Sequence, residues 1–164
     1  MADDLRRFQY GSNKSLSVLG KQKIQLPYAK ILIVDDTRVN LEIAKGLMKP
    51  YGMRIDCVTG GADAVNAIRC EKVRYSAVFM DHMMPKMDGV EAVRIIREEI
   101  GTEYAMSVPI IMLTANAIAG SKEMFLSKGF QDYLSKPIDT EQLDYVIRRW
   151  VRDRNPEEPV QLER

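Results

Sequence analysis

A regular alternation of two sequence patterns constrains the fold of this chain more than any other feature. Short apolar runs alternate with longer stretches in which apolar residues recur at helical spacing. The short runs have the length of buried parallel strands and lie at 31–34, 53–58, 77–80, 109–113 and 130–134. The helical stretches are marked by Ile43, Leu47 and Tyr51, by Ala64, Val65 and Ile68, by Val90, Val93, Ile96 and Ile100, by 118–128, and by Leu143, Val146, Ile147 and Trp150. Strands joined through helices pair in parallel by right-handed crossovers, so the sequence predicts an α/β domain with a five-stranded parallel sheet covered by helices on both faces.

The two ends of the chain differ from this alternating part. Residues 1–28 are polar and poorly periodic, which is typical of a linker or a truncated upstream segment that is largely flexible. The weak alternation of Ile24 and Leu26 allows one short strand there. Residues 154–164 contain two prolines and read as a disordered tail. We therefore predict one folded domain over residues 29–153.

The balance of charge excludes several function classes. Lys and Arg together number 24 and Asp and Glu number 23, so the formal net charge is +1 and offers no basic excess for nucleic acid or anionic lipid. The apolar runs are far too short to span a bilayer, and the N-terminus has no apolar signal core. Cys57 and Cys70 lack metal-site spacing and are interpreted as reduced core residues. We expect a cytoplasmic chain that contacts neither nucleic acid nor membrane.

Reactive side chains follow four of the five predicted strands. Asp35 and Asp36 follow the first strand, Asp81 the third, Thr114 the fourth and Lys136 the fifth. Any one of them is ordinary, since acidic residues often begin loops and Thr often caps a helix. Their occurrence together is not ordinary, because the carboxyl ends of parallel strands meet at one edge, where ligands of doubly wound sheets bind.

The chemistry of this set points to a metal and a phosphoryl group. Crowded carboxylates repel one another, which raises a pKa or recruits a cation, and oxygen ligands suit Mg²⁺ above all. Three carboxylates carry −3, and Mg²⁺ with Lys136 carries +3. A lysine and a hydroxyl beside Mg²⁺ are the groups that stabilise a transferring phosphoryl group, and a carboxylate can act as the nucleophile.

The motifs at these strand ends resemble the receiver domain of two-component response regulators. The matching stretches are 31–36, 80–89, 109–115 and 132–137, and the resemblance covers about 29–151. The family fold is flavodoxin-like with strand order 2-1-3-4-5. That order places the first and third strands side by side, which brings the three carboxylates together.

The resemblance also implies a role for each site residue. Asp81 is the phosphoacceptor, and Lys136 and Thr114 contact the phosphoryl oxygens. Asp35, Asp36, Asp81 and the backbone carbonyl of Met83 hold Mg²⁺, for which Mn²⁺ is an expected substitute. The remaining implied roles are an inward rotation of Tyr133 behind Thr114, tuning of the phosphoryl lifetime by Met83 and Asn116, and a cis peptide bond before Pro137.

A narrower resemblance is to receivers fused to hybrid histidine kinases, and it rests on 113–118, 132–139 and Trp150. It implies a phosphorelay in which the partner is the dimerisation helices of a histidine kinase or a separate histidine-phosphotransfer protein. His82, the only histidine, follows a strand and is interpreted as a loop side chain, so the donor histidine lies elsewhere. The expected partner-facing residues are Arg38, Val39, Leu41, Ile138 and Asp139. A homodimer through the fourth and fifth predicted helices is a further expectation.

Alternatives stay open on the sequence alone. One is a stand-alone single-domain response regulator. Another is a Mg²⁺-dependent aspartyl-phosphate phosphatase similar to the haloacid dehalogenase family, although Asp35 and Asp36 lack the spacer of that family's Asp-x-Asp motif. A third is a flavodoxin, in which the two acidic residues would repel the flavin phosphate.

Asp88 and Gly89 predict a turn in which Gly89 relieves φ strain.

Overall fold

A five-stranded parallel sheet in the order β2-β1-β3-β4-β5 forms the centre of the molecule. The computed structural model describes residues 23–115 and 121–152. Its strands are β1 (Lys30–Val34), β2 (Arg54–Val58), β3 (Ala77–Asp81), β4 (Ile110–Thr114) and β5 (Asp132–Ser135). The predicted fold class, the number of strands and the strand order are all confirmed.

Six α-helices accompany the strands in the described part of the chain. They are α1 (Arg38–Met48), α2 (Gly61–Cys70), α3 (Gly89–Glu98), α4 (Glu103–Ser107), α5 (Ser121–Ser127) and α6 (Thr140–Val146). A 3-10 turn (Lys49–Tyr51) extends α1, and a π-helical segment (Ile147–Arg152) extends α6. The spacing of apolar residues predicts five of these helices but not α4, because its five residues are too few to show a period. None of the described helices is long and apolar enough to cross a membrane.

Each face of the sheet has its own hydrophobic core. Alternate residues of a strand point to opposite faces, so Ile31 and Ile33 pack under α1 and α6 while Leu32 and Val34 pack under α2 and α3. Strands buried on both faces read as continuous apolar runs, which is why the sequence predicted them well.

Two burial expectations are wrong. The helical spacing predicts Ile43 on the apolar side of α1, yet this side chain is 55% exposed and the helix buries Leu41, Ala44 and Met48. The three buried residues lie on the side of α1 that faces the sheet, and Ile43 lies on the side that faces solvent. Cys70 is exposed at the end of α2 and Cys57 is half-buried, so neither lies fully in the core.

The residues just before β1 pack on the domain. Leu26 is buried, and its backbone N–H donates to the Tyr51 carbonyl at 2.8 Å. The Gln25 amide donates to the Pro50 carbonyl at 2.7 Å. No strand forms over 23–29, so the short strand suggested for this segment is absent from it. The flexible segment and tail predicted for the ends fall largely on residues 1–22 and 153–164, which lie outside the described residues, and the domain bounds stay a prediction.

Gly89 begins α3 for a reason different from the predicted one. Its φ is not positive, so no φ strain is relieved. Instead, a Cβ atom at Gly89 would overlap the backbone carbonyl oxygen of Asp81, and Asp88 caps the helix by accepting the Glu91 N–H at 2.9 Å. The missing side chain lets α3 start directly against the end of β3.

Replacing Gly89 with Ala is therefore expected to lower the free energy of unfolding by about 1–3 kcal/mol, since the clash is with backbone that cannot easily move. Gly46 is the matched control: it lies inside α1 with no atom within 4 Å of an added Cβ. Gly46→Ala should raise stability by about 0.5–1 kcal/mol. Urea denaturation measures both, and equal effects of the two substitutions would contradict this account.

Candidate functional site

The three predicted carboxylates meet where β1 and β3 end. Val34 of β1 pairs with Met80 of β3, so the residues that follow them, Asp35 and Asp81, come side by side. Both are buried, whereas Asp36 is exposed. One carboxylate oxygen from each of Asp35, Asp36 and Asp81 lies within 4.8 Å of the others. The strand order thus produces the acidic cluster that the sequence predicted.

Lys136 reaches this cluster from the edge strand. It follows β5, where its backbone N–H donates to the Thr114 carbonyl at 2.8 Å, and the Lys136–Pro137 peptide bond is cis, as the resemblance implies. Its ammonium group donates to Asp81 Oδ1 at 2.7 Å and to Asp35 Oδ2 at 3.0 Å. The side chain crosses β4 to do so and is 24% exposed. One lysine therefore compensates two buried carboxylates, which leaves the four-residue site with a net charge of −2.

This arrangement makes Asp81 reluctant to ionise. Burial raises the pKa of the Asp81 carboxyl, the hydrogen bond from Lys136 lowers it in part, and the charge of Asp35 raises it further, so that the pKa lies above its usual value. For Lys136, burial lowers the pKa, but hydrogen bonds to Asp81 and Asp35 outweigh burial and the pKa is raised. The negative charge of the three carboxylates therefore exceeds the positive charge of Lys136.

Local hydrogen bonds hold Asp35 in place. Its Oδ1 accepts the backbone N–H of Thr37 at 2.9 Å and the side-chain amide of Asn40 at 3.4 Å. Thr37 and Asn40 are site residues that the sequence motifs did not indicate. An Asp side chain that accepts the backbone N–H two residues further on forms an Asx turn, and Asp35 just before a predicted helix was the signal for it in the sequence. The turn directs the Asp35 carboxylate toward the end of β3.

Thr114 ends β4 and is buried beside an aromatic group of side chains. Its Oγ1 lies 3.1 Å from His82 Nδ1. The His82 ring packs edge-on against Phe125 of α5 at 5.5 Å, and Phe125 packs against Tyr133 at 5.7 Å. The sequence predicts His82 only as a loop side chain. Its position next to Asp81 was the one available signal that it lies near the site.

The remaining predicted residues differ in their exposure. The side chain of Met83 is 69% exposed, and Asn116 lies outside the described residues. Among the expected partner-facing residues, Arg38, Val39 and Asp139 are exposed and Ile138 is half-buried. Leu41 is 5% exposed and packs under α1 in the core, so its assignment to that surface is wrong. Leu41 lies on the buried side of α1 with Ala44 and Met48, which follow it at helical spacing.

The donor atoms of the cluster fit a hard divalent cation. All are carboxylate oxygens, and their charge exceeds that of Lys136. Mg²⁺ prefers such oxygen ligands and keeps several water molecules, for which the exposed side of Asp36 leaves room. A carboxylate nucleophile, an ammonium group and a hydroxyl around a cation form a set suited to phosphoryl transfer.

Comparisons with known proteins agree with this geometry. The family model described as "Response regulator receiver domain" matches residues 31–148. The chain is 39% identical over 122 residues to the sensor protein GacS of Pseudomonas syringae pv. syringae, a match that covers 74% of this chain and 13% of GacS. The chain spans between 13% and 20% of the length of the curated relatives compared.

Two solved structures are informative neighbours. The receiver domain of sensor histidine kinase PA1611 from Pseudomonas aeruginosa PAO1, solved with a magnesium ion coordinated in the active site cleft, is 37% identical with a TM-score of 0.65, over 75% of this chain and 97% of that chain. The receiver domain of the Saccharomyces cerevisiae response regulator Ssk1, in complex with the histidine phosphotransfer signaling protein Ypd1, is 27% identical with a TM-score of 0.65, over 75% of this chain and 88% of that chain.

Proposed function

The chain belongs to the response regulator receiver domain family and is a receiver domain of a two-component phosphorelay, and from that premise we propose that Asp81 is the residue that accepts the phosphoryl group. The observation that carries this proposal is the pairing of Asp81 with Lys136 at 2.7 Å, inside a cluster with Asp35 and Asp36 at the carboxyl edge of the sheet. Among the described residues, this is the group of acidic side chains close enough together to share a metal ion.

The proposed step is an in-line displacement at phosphorus. An Asp81 oxygen forms a bond to phosphorus while the bond from phosphorus to the donor's imidazole nitrogen breaks, and the imidazole leaves with the electron pair. Lys136 stays close to the transferring oxygens and offsets their charge, and the Thr114 hydroxyl donates to one of them afterwards. Asp35, Asp36, Asp81 and the Met83 carbonyl would hold Mg²⁺, which supplies positive charge to the phosphoryl oxygens when bound. The magnesium-containing PA1611 receiver supports this metal; substitution by Mn²⁺ stays a prediction.

The test is chemical mapping of the modified residue. Acetyl phosphate with Mg²⁺ should add one phosphoryl group to the protein, visible by intact-mass spectrometry. Borohydride reduces an acyl phosphate to the alcohol, so the labelled residue becomes homoserine and can be located in a peptide digest. The reduced residue should be Asp81. Modification at any other position would refute the assignment, and steady release of phosphate without a labelled protein would favour the small-molecule phosphatase.

For the partner, we propose a helical surface that presents a phosphohistidine. The Ssk1 receiver, a structural neighbour, forms a complex with a histidine phosphotransfer protein. On this chain, Val39 at the start of α1 is 63% exposed, and Ile138 and Asp139 follow β5, so apolar and charged groups lie at the same edge of the sheet as Asp81. Apolar contact in the centre and charge at the rim suit a transient complex.

Val39→Asp is expected to slow phosphotransfer from such a donor about tenfold, equal to about 1.4 kcal/mol, because it places a charge in the apolar contact. Labelling by acetyl phosphate should be nearly unchanged, since the exposed apolar side chain of Val39 offers no ligand or charge to the carboxylate cluster. Met106→Asp is the matched control: Met106 is 55% exposed on α4, which precedes β4 and lies at the opposite edge of the sheet. Equal impairment with both phosphate sources would place Val39 in the site rather than in the docking surface.

We further propose that the chain is the receiver of a hybrid histidine kinase, because its curated relatives include such sensor kinases and it matches a small fraction of their length. A stand-alone regulator is the alternative. The reading frame on either side of this sequence decides between them, since a hybrid kinase encodes a histidine-bearing helical domain and an ATP-binding domain in the same protein. Cytoplasmic location and a homodimer through α5 and α6 stay predictions.

A further inference from the structure

His82 is fixed in place from several directions. Its backbone N–H donates to the Leu113 carbonyl at 2.9 Å, and its own carbonyl accepts the Gly89 N–H at 2.8 Å. Its ring packs edge-on against Phe125, with 82° between the ring planes. These contacts join His82 to β4, α3 and α5. The backbone of His82 is therefore fixed by β4 and α3, and its ring has a contact with Phe125 in addition to the one with Thr114.

His82 and Thr114 lie on the same side of the sheet, and Asp81 lies on the other. Along β3, Val78 and Met80 face the α2 and α3 side, so the alternation places Asp81 with Phe79 on the α1 side and His82 back on the first. Along β4, the same alternation places Thr114 with Met112 on the α2 and α3 side. A Thr114 oxygen that is 3.1 Å from His82 Nδ1 is consequently turned away from the Asp81 carboxylate.

We propose that His82 is a positioning residue that holds the Thr114 hydroxyl in the orientation of the unphosphorylated domain and so opposes the switch to the phosphorylated one. This inference rests on the proposed function of Asp81. A threonine side chain occupies one of three staggered rotamers and its hydroxyl carries a single proton. Donation to a phosphoryl oxygen on Asp81 requires Thr114 to turn toward the strand ends, and the hydrogen bond to His82 competes with that turn.

The same contact links Thr114 to α5. His82 packs on Phe125, and Phe125 packs on Tyr133 at 5.7 Å and on Phe130 at 6.1 Å. Movement of Thr114 away from His82 removes a restraint on a ring that is part of this group. The hydrogen bond thus stabilises the group of aromatic side chains in its present packing as well as the threonine rotamer.

Two substitutions of His82 separate the hydrogen bond from the packing. His82→Phe keeps an aromatic ring against Phe125 and removes Nδ1. His82→Asn removes the ring and keeps a hydrogen-bonding atom near the position of Nδ1. Beryllofluoride, which adds to a carboxylate oxygen and mimics a phosphoryl group, serves as the probe, and its affinity in the presence of Mg²⁺ is measured by isothermal titration calorimetry.

His82→Phe should bind beryllofluoride about 2- to 10-fold more tightly than the unchanged protein, the range expected for one neutral hydrogen bond. His82→Asn should restore the original affinity. In a Thr114→Val background, His82→Phe should have no effect, because the hydroxyl that His82 contacts is already absent. A role of His82 in packing alone would not give this dependence on Thr114.

Three results would overturn the proposal. They are an unchanged or weaker affinity in His82→Phe, tighter binding in His82→Asn equal to that in His82→Phe, and a gain that persists in the Thr114→Val background. Each of these leaves the proposed function standing, because the unchanged protein still binds beryllofluoride. Absence of binding by the unchanged protein would instead refute Asp81 as the acceptor and this proposal with it.

Discussion

Asp81→Asn is expected to abolish labelling by acetyl phosphate, with a rate at least about 100-fold below that of the unchanged protein. An amide is a poor nucleophile and does not form an acyl phosphate, whereas the carboxylate does. Asp35 cannot easily take over, because its two oxygens already accept from Thr37, Asn40 and Lys136. Intact-mass spectrometry after incubation with acetyl phosphate and Mg²⁺ gives the measurement.

The labelling result is informative only if Asp81→Asn still folds, and the structure predicts that it does. The pKa of Asp81 is raised in the folded state, so the group contributes stability that is fully present below its unfolded pKa and is lost as the pH rises through the folded pKa. Above the folded pKa the charged carboxylate is therefore unfavourable in the metal-free domain. Asp81→Asn should melt no lower than the unchanged protein in the presence of a chelator.

Asp88→Asn is the matched control for the labelling experiment. Asp88 lies in the loop that follows Asp81, and its side chain caps α3, a role that Asn fills equally well. Labelling of this variant should match that of the unchanged protein. Wild-type labelling of Asp81→Asn, or loss of labelling in Asp88→Asn, would each contradict the assignment of Asp81.

The sheet and the acidic cluster could be predicted from the sequence for one shared reason. Strands buried on both faces leave continuous apolar runs, and the charged residues that follow such runs must lie at the carboxyl edge of the sheet. This rule identified Asp35, Asp81 and Lys136 from the sequence. In the structure, the Lys136 ammonium group lies within hydrogen-bonding distance of both carboxylates. The strand order itself came from the family resemblance and not from the pattern.

The sequence was less informative where three-dimensional packing decides. Leu41 and Ile43 are both apolar and two positions apart on α1, so they face different sides, and only the position of the helix on the sheet determines that Leu41 is buried. Gly89 is required by a close approach to the Asp81 carbonyl, a contact between α3 and β3 that no local signal records. The pairing of His82 with Thr114 joins residues 32 positions apart and depends on the register of β3 and β4.

Lys136→Met is expected to lower the free energy of unfolding by about 2–3 kcal/mol when metal is chelated. In the described part of the chain, the Lys136 ammonium group forms ion pairs with Asp35 and Asp81. Removing one partner of a buried ion pair typically costs about 3–5 kcal/mol. We expect a smaller loss here because a quarter of the Lys136 side chain is solvent-exposed and Asp81 can take up a proton. Urea denaturation in a chelator gives the measurement. Lys45→Met, on the exposed side of α1, is the control and should change stability by less than about 0.5 kcal/mol.

Lys136→Met should also strengthen Mg²⁺ binding about tenfold. The net charge of the four residues changes from −2 to −3, and the Lys136 ammonium group no longer repels the metal ion. A ligand that binds only the native state raises stability by RT ln(1 + [L]/Kd), so Mg²⁺ should stabilise Lys136→Met more than the unchanged protein. The stability gap between the two proteins should therefore narrow as Mg²⁺ is added. A gap that stays constant from chelator to saturating Mg²⁺ would show that Lys136 and the metal do not compensate the same carboxylates, and the cluster of Asp35, Asp36 and Asp81 would not be the metal site.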